Sequence, residues 1–310
     1  MKQLVWFTIL LSVVALPSAF AGGFSILPGS ARAVSFGGSL VSTADGPNVI
    51  FYNPAGVGSL TGLSFSTSFV QLFTGIQGDN LRYLTASASA NLGLVGQLGF
   101  GARVFRADAW NENELIGAYS QNLFDVVMIG GSVRLLQWST PAPSGLRAVP
   151  EDGLSKATLA FDAGLQARWA DVFPDNDIIV GVAVSNINAP SIAVNGSDDA
   201  RLDQRISAGI TYASSVYDYT FTAHFTSQGP SKRFAGGAEF VAMKADVFSD
   251  QLQFIVRAGG GVGVGGTEQG DIGGGVGFVW NGIRIDYAYQ YQTVLQYLSG
   301  SHFITLHYAL

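Results

Sequence analysis

The side chains of this chain that could do chemistry are charged, sparse and confined to one side of alternating apolar segments. Arg103, Arg134, Asp162, Arg168, Glu239, Arg257, Arg284 and Asp286 each fall on the polar parity of such a segment. A row of charges on one strand face can orient a ligand, hold a neighbouring stretch of chain, or neutralise itself. Buried charges rarely persist without partners, so mutual ion pairing is the expected state and ligand orientation the competing one. Catalysis has little to work with, because the chain holds three His and no Cys. His302 and His307 lie on opposite parities of one segment and point to opposite faces, while His224 stands alone. No Ser-His-Asp or HExxH constellation can be assembled from local spacing, so the expectation is a protein that is not an enzyme and uses neither cofactor nor metal. The formal net charge of −6 speaks against a nucleic-acid partner, which would need a basic stripe.

What would position these charges is a set of β-strands. In Gly282–Gln292, Ile283, Ile285, Tyr287, Tyr289 and Tyr291 share one parity, and Arg284, Asp286, Ala288, Gln290 and Gln292 share the other. Ala157–Trp169 repeats the pattern, with Leu159, Phe161, Leu165 and Trp169 against Asp162, Gln166 and Arg168. A soluble sandwich turns its apolar side inward, whereas a barrel in lipid turns it outward and keeps the polar side in its lumen. Composition favours the barrel: 12% of residues are charged, 40 are Gly, and the mean hydropathy is +0.30. In a bilayer every backbone group must be paired, which only a helix or a closed sheet achieves. The fold class expected is therefore all-β, a transmembrane antiparallel β-barrel with a small N-terminal plug segment.

Three regions follow from one end of the chain to the other. Residues 1–21 read as a signal peptide: Lys2, the apolar run Leu4–Leu16, and Ala19-Phe20-Ala21 as a small-x-small cleavage site. Residues 22–61 are rich in Gly, Ala and Ser without sustained alternation, and read as a compact segment inside the barrel mouth or across its periplasmic end. Residues 62–310 break into about fourteen strand-length segments, an even number as single-chain bacterial barrels require. These are expected near 62–72, 81–91, 94–105, 113–122, 125–138, 156–169, 177–187, 203–213, 217–227, 232–244, 250–260, 270–280, 282–292 and 300–310. A lumen of that size is too wide for side chains alone to fill, which gives the N-terminal segment a place. The longest connections, Ser139–Ser155 and Asn188–Leu202, would rim the extracellular mouth. Asn281-Gly282 marks a tight hairpin. A literal G-x-G-x-x-G match at Gly261, Gly263 and Gly266 lacks the helix a nucleotide site needs and reads instead as curvature or close strand packing. In Asn53-Pro54-Ala55, Pro54 restricts Asn53 to an extended conformation, so the tripeptide marks a fixed corner, either a gate or part of a passive plug.

The run Gly29-Ser30-Ala31-Arg32-Ala33-Val34-Ser35-Phe36-Gly37-Gly38-Ser39-Leu40, followed by Ala44-Asp45-Gly46 and Tyr52-Asn53-Pro54-Ala55-Gly56, resembles the opening of the PorV/PorQ family of outer-membrane proteins. The same region is similar to the N-terminal segment of the FadL fatty-acid transporters, which share Asn-Pro-Ala and a fourteen-stranded barrel. Ser185–Pro190, Arg257–Gly260, Asp286–Tyr289 and His302–Leu310 resemble further family motifs downstream. Ser35 and Phe36, Tyr52 and Gly260 depart from the usual residues.

The resemblance implies an outer membrane of a Gram-negative-type bacterium, with outer-membrane lipid around the barrel. It leaves two functions open. In one, a hydrophobic small molecule enters by the extracellular loops, meets Gly22–Thr61, and leaves when that segment shifts or through a break in the wall. In the other, the barrel is a membrane-anchored adaptor whose partners are secretion-system or exported proteins. A purely structural barrel is the third reading.

Overall fold

The computed structural model describes residues 24, 28–43, 46–76, 80–140, 153–194, 200–247, 250–265, 270–293 and 299–310. The expected signal peptide and much of the loop 139–155 lie outside the described residues. The first seven strands are β1 (Leu63–Gln71), β2 (Arg82–Asn91), β3 (Gln97–Arg106), β4 (Asn111–Leu123), β5 (Val127–Ser139), β6 (Ser155–Phe173) and β7 (Asn176–Ser185). The others are β8 (Arg205–Ser214), β9 (Tyr219–Gln228), β10 (Ser231–Val247), β11 (Asp250–Val264), β12 (Gly270–Trp280), β13 (Ile283–Gln292) and β14 (Ser301–Ala309). Every strand pairs antiparallel with its sequence neighbours, and β1 pairs with β14 from Ser64↔Ala309 to Gln71↔His302, so the sheet is a closed fourteen-stranded barrel. Alternation drives this outcome, since a one-residue slip would turn each apolar column into the lumen.

The outer surface is the apolar one. Phe65, Phe69, Leu84, Phe100, Leu115, Ile210, Ile285, Ile304 and Leu306 are exposed there, whereas the intervening Ser64, Ser66, Ser68, Thr85, Ser87, Asp286 and Thr305 are buried inside. Such a contiguous apolar exterior fits hydrocarbon, not water. Aromatic rings gather toward both ends of it. Tyr212, Tyr217, Tyr219, Phe221 and Phe240 cluster near the β8–β9 turn, and Tyr287 and Tyr289 pack with His302 nearer the opposite end. His302 therefore faces outward, hydrogen-bonded to the Tyr287 hydroxyl at 2.8 Å, and His307 faces inward beside Gly46.

Connections after even-numbered strands gather at one end with both termini of the barrel. At the β12–β13 turn, Asn281 and Gly282 have φ of 47° and 74°, the left-handed pair that a type I′ hairpin demands. The two longest connections lie at the other end, here called the mouth. Each described strand pair runs in uninterrupted register except for shifts between Trp169 and Phe173 and between Val241 and Met243. Both lie in the halves of their strands away from the mouth. The described ladders of β1 to β4 are continuous, so they offer no opening for the second of the two exit routes, a break in the wall.

Inside lies the stretch that precedes β1. It forms the helix α1 (Ala31–Ser35) and two 3-10 turns, Pro47–Phe51 and Pro54–Ser59, and nearly all of it is buried. Lumen hydroxyls satisfy its polar groups: Thr305 Oγ1 accepts from Ala31 N at 2.9 Å, Thr85 Oγ1 donates to Gly29 O at 2.8 Å, and Asn48 bridges Ser66 and Ser87. On the far side, Ser42 and Thr211 hydroxyls lie 2.9 Å apart. The core thus sits between this segment and the wall, where Phe36, Leu40, Val49, Ile50 and Val57 meet the inward Ile116 and Ala118.

Candidate functional site

Glycines decide how closely the segment approaches the wall. A Cβ on Gly237, Gly259, Gly273 or Gly275 would collide with Val34 or Ser35 of α1. The glycines of β10, β11 and β12 form a seat for the helix backbone, a more specific role than the curvature or close strand packing expected from sequence. A second seat holds the Asn-Pro-Ala corner. Asn53 is extended at φ −150°, caps the turn that starts at Pro54 by accepting from Ala55 N at 3.0 Å, and donates to Val41 O at 2.8 Å and Leu165 O at 3.2 Å. Gly130 and Gly164 of β5 and β6 leave the space into which Asn53, Pro54 and Ala55 press.

Seven of the eight charges singled out from sequence fall into two clusters in the lumen. The deeper one joins β10, β11 and β13 to α1. Arg32 grips Glu239 through two bonds of 2.8 Å, and Arg257, whose side chain is fully buried, bonds both Glu239 and Asp286. Arg284 Nε reaches Asp286 at 2.9 Å. Each guanidinium here meets a carboxylate, so the cluster works as a lock on the helix.

The second cluster lies toward the mouth and lines a small chamber between the wall and the loop around Tyr52. Glu114 of β4 pairs with Arg103 at 3.1 Å and Arg134 at 3.0 Å, and Arg134 pairs also with Asp162 at 2.7 Å. Asn186 braces the pair, accepting from Arg134 and donating its backbone N–H to Asp162 at 2.9 Å. Arg205, the first residue of β8, completes the lining; its guanidinium donates to the Ser185 hydroxyl at 3.1 Å. Phe24, Ile50, Phe51, Tyr52 and Pro54 form the facing wall, with the Arg103 guanidinium 4.8 Å above the Phe51 ring. Burial pushes the Tyr52 hydroxyl up to about 12, although its bond from Gly29 N and the nearby Arg103 and Arg205 oppose the shift.

Above the chamber the described parts of the β7–β8 connection, 186–194 and 200–204, pack against the wall at the mouth. Ile192 and Leu202 pack on Leu136, Trp138 and Ala160, and Trp138 Nε1 donates to Ile192 O at 2.9 Å. Trp110 stacks on Trp138 at 4.5 Å between ring centroids. Phe24 touches both this apolar cap and the chamber below.

Arg168 is placed differently from its fellows. It shares the inward parity of β6, but lies near the β6–β7 turn, where its half-exposed side chain pairs with Asp177 at 2.5 Å. It rims the end opposite the mouth, and this corrects its expected place among the lumen-lining charges. Sequence reasoning missed Glu114, Arg205 and a role for Arg32. Inward Ile116 and Ala118, apolar because they meet the segment, blurred the alternation around Glu114. For Arg205 the signal was present: Arg205 and Ser207 alternate with Ile206 and Ala208.

No family model matches the chain, and no curated protein matches it by sequence. Solved structures do match it in fold. The monoaromatic hydrocarbon channel CymD is 11% identical at a TM-score of 0.65, covering 93% of this chain and 99% of its own. TbuX, a toluene transporter of Ralstonia pickettii, is 13% identical at 0.56, covering 93% and 100%. TodX, a toluene transporter of Pseudomonas putida, is 10% identical at 0.56, covering 94% and 98%. The chain shares the barrel fold of these channels. At these identities the likeness speaks for architecture, and the residues of the chamber and the lock have to be read on their own.

Proposed function

We propose that this protein is an outer-membrane barrel that admits a hydrophobic or amphipathic small molecule through its mouth, and that the segment before β1 is the gate. The observation that carries the reading is an apolar cap and a small chamber set against the buried segment, with Phe24 shared by cap and chamber and Ile50–Tyr52 and Pro54 of the segment lining the chamber. It is supported by the shared fold with channels named for monoaromatic hydrocarbons and toluene. Passage along the lumen requires the Asn53-Pro54-Ala55 corner to leave its glycine seat, since Asn53, Pro54 and Ala55 press into the wall at Gly130 and Gly164. The PorV/PorQ likeness, carried by the segment before β1 and by motifs in the strands, belongs to this proposal. The secretion adaptor that likeness implies draws no support from the solved structures above, and a purely structural barrel would have no use for a chamber.

A cysteine-free chain makes the gate testable. The pair Ser42→Cys and Thr211→Cys replaces two touching hydroxyls, one on the segment and one on β8. Cells carrying the protein should take up labelled toluene faster than cells without it, the oxidised double variant should lose that gain, and reductant should restore it. Uptake indifferent to the protein would defeat the transport reading. Uptake unaffected by the oxidised bond, once mass spectrometry has shown that it formed, would defeat the gate alone.

A further inference from the structure

Arg82 and Arg106 stand side by side on the outer wall, close to the mouth. One level of the barrel from β13 to β4 reads Tyr289, His302, Gln71, Arg82, Arg106 and Asn111, each the register partner of the next. All six fall on the outward parity of their strands. The next outward level away from the mouth holds Ile304, Phe69, Leu84 and Val104, so the arginines sit at the edge of the apolar band. Arg82 is exposed, with no hydrogen bond or ion pair among the described residues. Arg106 donates to neutral groups: Nη1 to Phe105 O at 2.7 Å and Glu112 O at 3.2 Å, and Nη2 to Asn113 Oδ1 at 2.9 Å. These bonds hold its guanidinium in place and leave its Nε–H unspent. Neither outward level carries a carboxylate. The Glu112 side chain turns inward to Phe24 N and Trp110 Nε1, Asp108 lies beyond the strand ends in a depression at the mouth, and Asp79 lies outside the described residues. Like charges directly opposite on neighbouring strands repel, and at the edge of hydrocarbon water screens them less.

The same strands carry a second feature below the arginines. Thr67, Ala86, Ala88 and Ala102 floor a groove of about 430 Å³ in the lipid-facing wall, rimmed by Phe65, Phe100, Leu306 and Tyr308. The Thr67 hydroxyl is spent on Thr85 O at 3.1 Å, so the groove presents hydrocarbon. From Arg82 to Ala86 is about 14 Å along the strand at about 3.4 Å per residue, within one leaflet of a core about 30 Å thick.

We infer that Arg82 and Arg106 hold the phosphate of an outer-leaflet lipid, and that one acyl chain of that lipid runs past Leu84 and Val104 into the groove. The inference goes beyond the transport reading and shares with it the outward orientation of the mouth. Charge argues for phosphate, because adjacent guanidiniums can each present a two-point fork to its oxygens. Position argues for a lipid: the pair lies level with the ring of Tyr289, as interfacial aromatic residues do, and the wall below it is apolar down to the groove.

The test uses the purified full-length protein in mild detergent, with bound lipid measured by native mass spectrometry. Dipalmitoyl phosphatidate should bind about tenfold or more tightly than dipalmitoylglycerol, which has the same chains and no phosphate. Inorganic phosphate and glycerol 3-phosphate, which lack the chains, should bind more weakly than phosphatidate. Arg82→Gln combined with Arg106→Gln should erase the preference for phosphatidate, whereas Lys244→Gln, at the opposite end, should keep it. Ala86→Trp, which fills the groove, should weaken phosphatidate several-fold. Equal affinity for phosphatidate and dipalmitoylglycerol in the unaltered protein would overturn the inference, as would a preference that survives the double arginine replacement. Chain-free phosphate binding as tightly as phosphatidate would overturn the lipid as occupant, and unchanged affinity in Ala86→Trp would overturn the groove. Should the double variant fail to fold, the probe comparison on the unaltered protein still decides. None of these arms measures uptake, so a missing lipid preference leaves transport standing, and missing toluene uptake leaves this site standing.

Discussion

The two lumen clusters are built from the same parts and do opposite things. Each joins three arginines to two carboxylates: Arg32, Arg257 and Arg284 with Glu239 and Asp286, and Arg103, Arg134 and Arg205 with Glu114 and Asp162. In the deep lock every guanidinium meets a carboxylate, one arginine comes from the N-terminal helix, and glycines bring that helix against the wall. In the chamber all five charges come from the wall; the N-terminal segment contributes rings instead, and one guanidinium is left over. One cluster resembles an anchor and the other a recognition site, and the difference comes from which element donates the arginine.

The largest effect should come from breaking the lock. Glu239→Ala removes the carboxylate that Arg32 and Arg257 share and leaves Arg257 fully buried with Asp286 alone. Losing one partner of a buried ion pair costs about 3–5 kcal/mol, because the remaining charge stays desolvated. Heat-induced unfolding in detergent should begin at a distinctly lower temperature, and limited proteolysis should release fragments cut before Leu63. Glu114→Ala should leave the N-terminal segment protected, since no residue of that segment pairs with Glu114. If both variants expose the segment equally, the division into anchor and recognition site fails.

Much of this was legible in the sequence, for a definite reason. A period of two over fourteen segments leaves little freedom, and strands such as Ile283–Gln292 declared both faces by residue type alone. The same parity rule put Arg103, Arg134, Asp162, Glu239, Arg257, Arg284 and Asp286 on the inner surface. It could not say which charges meet, because meeting depends on register across strands far apart in sequence, as for Glu239 and Asp286. Parity also carries no depth, which is how Arg168 was grouped with residues it never approaches. Where the wall packs on the segment the rule weakened, since Ile116 and Ala118 point inward yet are apolar. Arg32 was visible only as a letter in a motif; its partner lies 207 residues away.

Tyr52 offers a smaller and pH-dependent comparison. Its hydroxyl accepts from Gly29 N at 2.5 Å on the chamber side of the segment, and burial holds it neutral up to about 12 against an ordinary value of 10. A group whose proton is bound more tightly in the folded state stabilises that state fully below the ordinary value and loses the contribution as pH rises through the raised one. Protection of the segment from protease should therefore fall between about pH 10 and pH 12. Tyr52→Phe should remove that fall and instead loosen the segment by about 1 kcal/mol at all pH values, the usual net value of one hydrogen bond. A titration as steep in the phenylalanine variant would assign the alkaline loosening to other groups.

The smallest change in stability should follow Arg205→Met, and that smallness sharpens the comparison most. Replacing an ion-paired arginine such as Arg257 takes a partner from two carboxylates, leaving Glu239 to Arg32 and Asp286 to Arg284, whereas replacing Arg205 leaves only a hydroxyl without its donor. Removing a recessed, uncompensated charge is near neutral or stabilising, so the unfolding temperature should hold or rise slightly. Arg257→Met should lower it in the same assay by an amount comparable with Glu239→Ala. An arginine whose loss costs the fold nothing must be explained by something other than the fold. Were Arg205→Met as damaging as Arg257→Met, the third guanidinium of the chamber would be a structural partner after all.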